Sequence, residues 1–295
     1  MTKKHFKFNK KKLTWVEILL RVVTNLAVIF AIVIALFPFY VLIVSSLKSL
    51  EEGLYFVWWP KAPSLAAYKY VLFSQDIKVN FNVSIFRTLG NTFKIALITV
   101  TGSIFFSAMA AYTFTKRNFP GKNIMFAIMM FTMMIPKTVT MVASYPLFSM
   151  IGWVNTSYPL IIPHMFGSIA LLFAFRQYMY GIPNEIIDSA LLDGANHFVI
   201  FVMIVLPLAM PIIVAQWLLG FMTSYNAYEE PLLYLLTPDK FTIQLVLPYY
   251  SSRTGMTDIP RKSAVILLAM LPMFLLYCGS QKFFEKGIMT GALKG

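Results

Sequence analysis

Residues able to do covalent or metal chemistry are few in this 295-residue chain, and they are scattered. The three histidines, His5, His164 and His197, have no ligand spacing to one another or to the single cysteine, Cys278. No metal site is therefore expected. No G-x-x-x-x-G-K-[ST] phosphate loop exists; 121-GKN-123 lacks both the upstream glycine and the hydroxyl. With no nucleophile–base pair either, the chain is not expected to be an enzyme or to hold a cofactor of its own. What remains is the placement of acids. Glu185, Asp188 and Asp193 fall within 185-EIIDSALLDGANHFVIFVMIVLPLAMP-211, between two long apolar runs. Carboxylates without a catalytic partner can still dock a partner protein.

The elements that must position those acids are legible locally. Pro183 suits a helix start, and Glu185 and Asp188 sit where the helix dipole favours negative charge. At helical spacing Ile186, Ile187, Ala190 and Leu191 share one face, and Glu185, Asp188, Ser189 and Asp193 share the other with Leu192. Gly194 can supply the left-handed residue that ends such a helix. A second helix is expected from near Ala195, kinked or re-aimed by Pro207. A short helix of this kind fits a groove on a partner. The alternative is a helix lying on the bilayer surface, but such helices are usually basic on their polar face. This one carries three acids and no Lys or Arg.

Composition sets the surroundings. The chain is 58% hydrophobic and only 13% charged, about half the usual charge of a soluble domain. The net charge of +13 does not point to nucleic acid, because 3-KKHFKFNKKK-12 stands just before an uncharged run and reads as a flank held in the cytoplasm. That run, Val22–Leu47, is too long for a signal peptide. Further spans are expected at Ile95–Thr115, Lys122–Met141, Tyr158–Gln177, Val202–Ser224 and Ser263–Gln281, six in all. The fold class is an all-α polytopic membrane protein. Its parts are a basic cytoplasmic N-terminus (1–21), a first span (22–47), an external loop (48–87), a five-helix core (88–284) and a cytoplasmic tail (285–295). The core contains the cytoplasmic 181–207 loop and an external loop at 225–262. The two external loops hold seven of the twelve acids, and the turn 116-KRNFPGK-122 carries three basic residues and no acid. Both termini are thus expected inside.

Polar residues at membrane depth are candidates for a solute path. Lys137 lies about 22 Å beyond Lys122 if one helix joins them. It could line a path or snorkel outward. Asn91, Gln216, Tyr225 and Asn226 could hydrogen-bond a hydroxylated solute, or serve as glue between helices. Cys278, in an apolar run, is expected to be a small buried hydrophobe.

From Asp188 the sequence reads D-S-A, three residues, Gly194, nine residues, then I-V-L-P at 204–207. This resembles the EAA-x3-G-x9-I-x-L-P loop of binding-protein-dependent ABC importer permeases, with Asp188 for the usual Glu and Ser189 for the first Ala. The stretches 145-YPLF-148, 152-GWVNT-156, 182-IPNE-185, 225-YNAYEEPLLYL-235 and 287-GIMTGALKG-295 are similar to the maltose-type carbohydrate permeases. The resemblance, from about Asn91 to the C-terminus, implies a type I permease fold in a bacterial cytoplasmic membrane. It implies that Glu185, Asp188, Ser189, Ala190, Asp193, Gly194, Ala195, Leu206 and Pro207 couple the spans to a separate ATPase, where ATP and Mg would be bound. The implied partners are a homologous second permease, two ATPase subunits, an extracytoplasmic solute-binding protein, and a sugar or oligosaccharide as solute. The tail would enter the ATPase interface, and the loop around 251–260 would face the binding protein. The rivals are a self-sufficient secondary transporter, or an importer of this type for a non-sugar solute. None of the six expected spans contains an Asp or Glu, and no internal repeat is visible, which weighs against the first.

Overall fold

The computed structural model describes residues 14–49, 52, 55–73, 84–253 and 258–292. The expected basic flank up to residue 13, and parts of both long loops (74–83 and 254–257), lie outside the described residues. The described elements are helical, with no strand among them. They are α1 (Trp15–Ser46), α2 (Ala66–Phe73), α3 (Ile85–Lys116), α4 (Lys122–Thr132), α5 (Lys137–Met150), α6 (Tyr158–Met165) and α7 (Ile169–Tyr180). After these come α8 (Asn184–Leu192), α9 (His197–Leu208), α10 (Met210–Tyr225), α11 (Glu229–Tyr234), α12 (Ile243–Arg253) and α13 (Ile259–Ala292).

Among the described residues four stretches are long and apolar enough to cross a membrane: α1, α3, α6 with α7, and α13 up to Ser280. Two further pairs reach the count of six only if each bent pair is one span. Helices α4 and α5 meet at 91°, and α9 and α10 at 79°. The expected straight span Lys122–Met141 is therefore corrected. Pro136 disfavours helical backbone in the residue before it, and Pro136 is itself extended (ψ 130°) as the residue before α5. The rise inferred for Lys137 along one helix does not hold. Helix α3 also starts ten residues before the expected span, and α13 runs on through the expected tail as far as Ala292.

Helix α3 is the axis of the molecule. Its Ala96, Ala108 and Ala111 have no exposed surface, and small residues let neighbours approach where lipid offers no hydrophobic drive to pack. A Cβ on Gly102 would lie 2.9 Å from the Met165 carbonyl oxygen, and one on Gly220 would lie 3.1 Å from Val100. In-span hydroxyls bond back to their own helix: Thr92 Oγ1 donates to Thr88 O (2.7 Å) and Thr115 Oγ1 to Ala111 O (2.6 Å). This removes the cost of a bare donor in hydrocarbon.

Helix α1 contrasts with α3. It opens on a Thr14–Glu17 capping box, and only Val44, Ser45 and Ser46 are buried, so nearly all its apolar surface faces outward. Cys278 is exposed on α13 beside exposed Phe274, Leu275 and Tyr277, not buried as expected. In this chain that outward surface is the apolar one, where a thiol behaves as a small hydrophobe.

Candidate functional site

The 181–207 loop is built as a rigid corner. Glu185 occupies the first turn of α8. At the other end, Gly194 adopts φ +83°. Its N–H donates to Leu191 O (3.0 Å), and the N–H of Ala195 donates to Ala190 O (3.0 Å). These are the two bonds of a Schellman motif, which satisfies carbonyls that the helix end leaves open. Asn196 then caps α9, its side chain accepting from Val199 N at 2.9 Å.

Pro207 cannot donate to the carbonyl four residues back. The chain answers with a π-helical segment, Phe201–Val205, in which Leu206 N–H reaches Phe201 O. The sharp 79° bend follows at Ala209, with Pro211 in the first turn of α10.

The two faces of α8 have separate fates. Ile187 (4% exposed) and Ala190 (9%) join one core cluster with Tyr112, Phe175, Met179, Ile182, Ile200, Phe201 and Val205. The buried stripe is narrower than the sequence implied, since Ile186 and Leu191 are exposed. Glu185, Asp188, Ser189, Asp193 and Leu192 also face outward, and Leu192 is 89% exposed. Lys116, at the end of α3, donates to Ile182 O (2.5 Å) and Asn184 Oδ1 (2.9 Å). The Tyr112 hydroxyl pairs with His197 Nδ1 at 3.0 Å. Sequence reasoning missed these last anchors, because their partners lie 66 to 85 residues apart.

A second feature lies along α3. A cleft of about 420 Å³ opens between α3, the α6–α7 pair and α10, with α11 at one side. Its lining is a helical stripe on each wall: Thr92, Thr99 and Ser103 on α3, and Gln216, Thr223 and Ser224 on α10. These α3 residues lie 13 to 24 positions from Lys116, about 20–36 Å along the helix axis. One continuous helix thus joins the cleft to the 181–207 loop.

Three ionisable groups meet at the cleft. Lys137 Nζ stands 3.0 Å from Glu230 Oε1, and His164 Nε2 stands 3.2 Å from Glu230 Oε2. Lys137 and His164 are the more exposed partners, at 73% and 41% against 14% for the acid. Burial works to raise the Glu230 carboxyl. The hydrogen bond and charge of His164, then those of Lys137, outweigh it and hold the group at about 2.

Of the five expected path residues, Lys137 and Gln216 line the cleft. Asn91 instead ties down the 238–241 segment through Asp239 O (2.9 Å) and Phe241 O (3.1 Å). Buried Tyr225 donates to Ala269 O (2.7 Å). Asn226 bonds Met222 O (2.9 Å) and accepts from Gln244 (3.0 Å). Glu230 and His164 went unnoticed as a pair with Lys137. The available signal was that Lys137 is the only charge between Asn123 and Phe175, and so needed an acid from elsewhere. Among the described residues no cluster of three or more His, Cys, Asp or Glu could hold a metal.

The family model for the binding-protein-dependent transport system inner membrane component matches residues 103–290. The arabinooligosaccharides transport system permease protein AraQ of Bacillus subtilis (strain 168) is 30% identical over 264 residues, 88% of this chain and 91% of that one. The polygalacturonan/rhamnogalacturonan transport system permease protein YtcP of the same strain is 30% identical over 278 residues, 89% and 93% of the two chains. A crystal structure of a bacterial ABC transporter involved in the import of the acidic polysaccharide alginate contains a chain that superposes with TM-score 0.81. The two share 19% identity, over 93% of this chain and 99% of that one.

Proposed function

Since the chain belongs to the family of binding-protein-dependent transport system inner membrane components, with the type I permease fold of an ABC importer, we propose that it imports a sugar or oligosaccharide by alternating access. It is a multi-pass membrane transport subunit, and not an enzyme. The carbohydrate solute is supported by the names of relatives that match nearly the whole chain. The proposed assembly joins this chain to a second permease, two cytoplasmic ATPase subunits that bind ATP and Mg, and an extracytoplasmic binding protein. Both termini and the 181–207 loop then face the cytoplasm, and the cleft lies toward the other side.

The observation that carries the coupling role is the double character of α8. Its inner side is part of the same packed cluster as α3, α7 and α9, while its outer side presents three acids and Leu192 to solvent. Interiors are close-packed and transmit displacement. When the ATPase subunits close, a push on Leu192 and its acidic neighbours moves α3, and α3 carries the wall of the cleft. Asp188 and Ser189 each stand one small change from the usual motif, and both point outward as a docking face requires. A secondary transporter would have no use for this exposed, rigidly seated acidic helix.

Leu192→Asp tests the role. The substitution alters an exposed side chain, so membrane insertion and thermal stability should stay at wild-type level. Co-purification of the ATPase and solute uptake should both be lost. An ATPase that still co-purifies in normal yield, with normal uptake, would remove α8 from the coupling path.

A further inference from the structure

Gln216 is a polar amide well inside α10, six residues after Met210 and nine before Tyr225. It lines the cleft, and no hydrogen bond joins its side chain to any described residue. A primary amide left bare in hydrocarbon is expensive, so a residue of this kind faces either a neighbouring helix or a watered path. Within this chain the glue alternative has no partner among the described residues. Ser103 and Ser224 also line the cleft without a side-chain hydrogen bond of their own. Together they offer donors and acceptors on both facing walls.

The charges complete the picture. Lys137, His164 and Glu230 are the only ionisable residues among the described lining. Glu230 accepts from Lys137 and from His164, one on each carboxylate oxygen, so the Lys137 charge is cancelled within the cleft. What is left for a visitor is a hydroxyl and amide surface with spare lysine N–H donors. A volume of about 420 Å³ lies in the range of small-molecule sites.

We propose that this subunit touches the solute directly in the cleft, that the solute unit it takes is uncharged and rich in hydroxyls, and that Gln216 makes the hydrogen-bonding contact. Glu230 is the specificity-determining residue, because it holds the Lys137 ammonium and the His164 imidazole, which would otherwise welcome a carboxylated sugar. The inference rests on the importer reading above. It adds that the solute contact lies on this chain, whatever the second permease contributes. A site built to pair with hydroxyls discriminates by leaving polar groups unpaired when the wrong solute enters.

Thiol protection tests this without depending on what the binding protein selects. In the assembled complex, with Cys278→Ser and a reporter Ser224→Cys, the rate of N-ethylmaleimide labelling at position 224 is measured with maltotriose or with trigalacturonate. Maltotriose should slow labelling about five-fold or more, and trigalacturonate should not. Gln216→Leu should abolish the maltotriose protection, as expected for loss of the main hydrogen bond. Glu230→Gln should admit trigalacturonate protection, and the double variant Lys137→Met/Glu230→Gln should remove it again. That gain and its reversal cannot come from misfolding. Unchanged maltotriose protection in Gln216→Leu, protection by trigalacturonate with Glu230 intact, or protection by neither probe would each overturn the inference. If the same vesicles accumulate a labelled sugar in an ATP-dependent way, the importer reading survives such a failure. Without ATP-dependent accumulation, that reading fails as well.

Discussion

Position 194 allows the coupling geometry to be perturbed with little else changed. Gly194 holds φ +83°, and no atom beyond the adjoining residues lies within 4 Å of where a Cβ would stand. A side chain there meets no wall, so the whole penalty is conformational. For alanine the left-handed region costs about 1–2 kcal/mol. Asparagine tolerates that region better, and a β-branched valine there is a genuine outlier. If valine drives the backbone out, the bonds from Gly194 N to Leu191 O and from Ala195 N to Ala190 O are also at risk. Each is worth about 0.5–1.5 kcal/mol, which brings the valine penalty to roughly 2–5 kcal/mol. Burying Ile187 alone contributes about 1.5–3 kcal/mol to seating α8, so alanine should leave the helix docked but frayed at its end. Valine should unseat it. ATPase affinity, titrated on the purified permease pair in lipid nanodiscs, should fall in the order Gly, Asn, Ala, Val. About 1.4 kcal/mol corresponds to ten-fold, so Ala should lose about five- to thirty-fold and Val more. Equal affinity for all four proteins at equal insertion would refute the reasoning, and so would Asn binding worse than Val.

Other parts of the structure make independent commitments. Ile187→Ala should open a cavity in the cluster shared by α3 and α8, costing about 2–5 kcal/mol by denaturation in detergent, whereas Leu191→Ala, at an exposed position, should cost little. Gly102→Val should prevent folding, since its Cβ would meet the Met165 carbonyl at 2.9 Å, while Gly90→Ala, with nothing within 4 Å, should insert and fold normally. The Glu230 carboxyl lies at about 2, below its ordinary 4.5. Its stabilisation, at most about 3 kcal/mol, should therefore be complete above pH 4.5 and fade as pH falls toward 2. Thermal unfolding followed through that window should show the slope in wild type and a smaller one in Glu230→Gln. A cysteine at Asn118 should resist an impermeant thiol reagent in intact cells and one at Lys61 should react, with Cys278 replaced in both; the reverse pattern would contradict the proposed orientation.

Local chemistry was the legible part of this protein. Pro183, the acids of α8 and Gly194 lie within a dozen residues, and each acts through its own backbone, so the helix and its end could be read directly. The spans were legible as apolar runs, but their edges were not. Helix α3 begins at Ile85 because a helix can carry Arg87 and Lys94 without breaking, whereas a reading by charge stops at Lys94. The 91° bend between α4 and α5 leaves no break in hydropathy, since the two limbs together are apolar enough for one span. Only Pro136 hinted at it. The cleft was the least legible. Lys137, His164 and Glu230 come from three separate elements, and nothing in their spacing announces that a lysine and a histidine share one carboxylate. Tyr225 and Asn226 illustrate the opposite limit, because residue type suggested solute contact while tertiary packing gave their polar atoms to Ala269, Met222 and Gln244.

The claim that joins these parts is that work done on α8 by a separate ATPase drives solute through this chain. Proteoliposomes carrying the complete complex, with binding protein outside and ATP either enclosed or omitted, measure it directly through accumulation of a labelled sugar. The account predicts accumulation only with enclosed ATP, undiminished when ionophores collapse every ion gradient. Accumulation that proceeds without ATP, or that vanishes with the ion gradient, would contradict it.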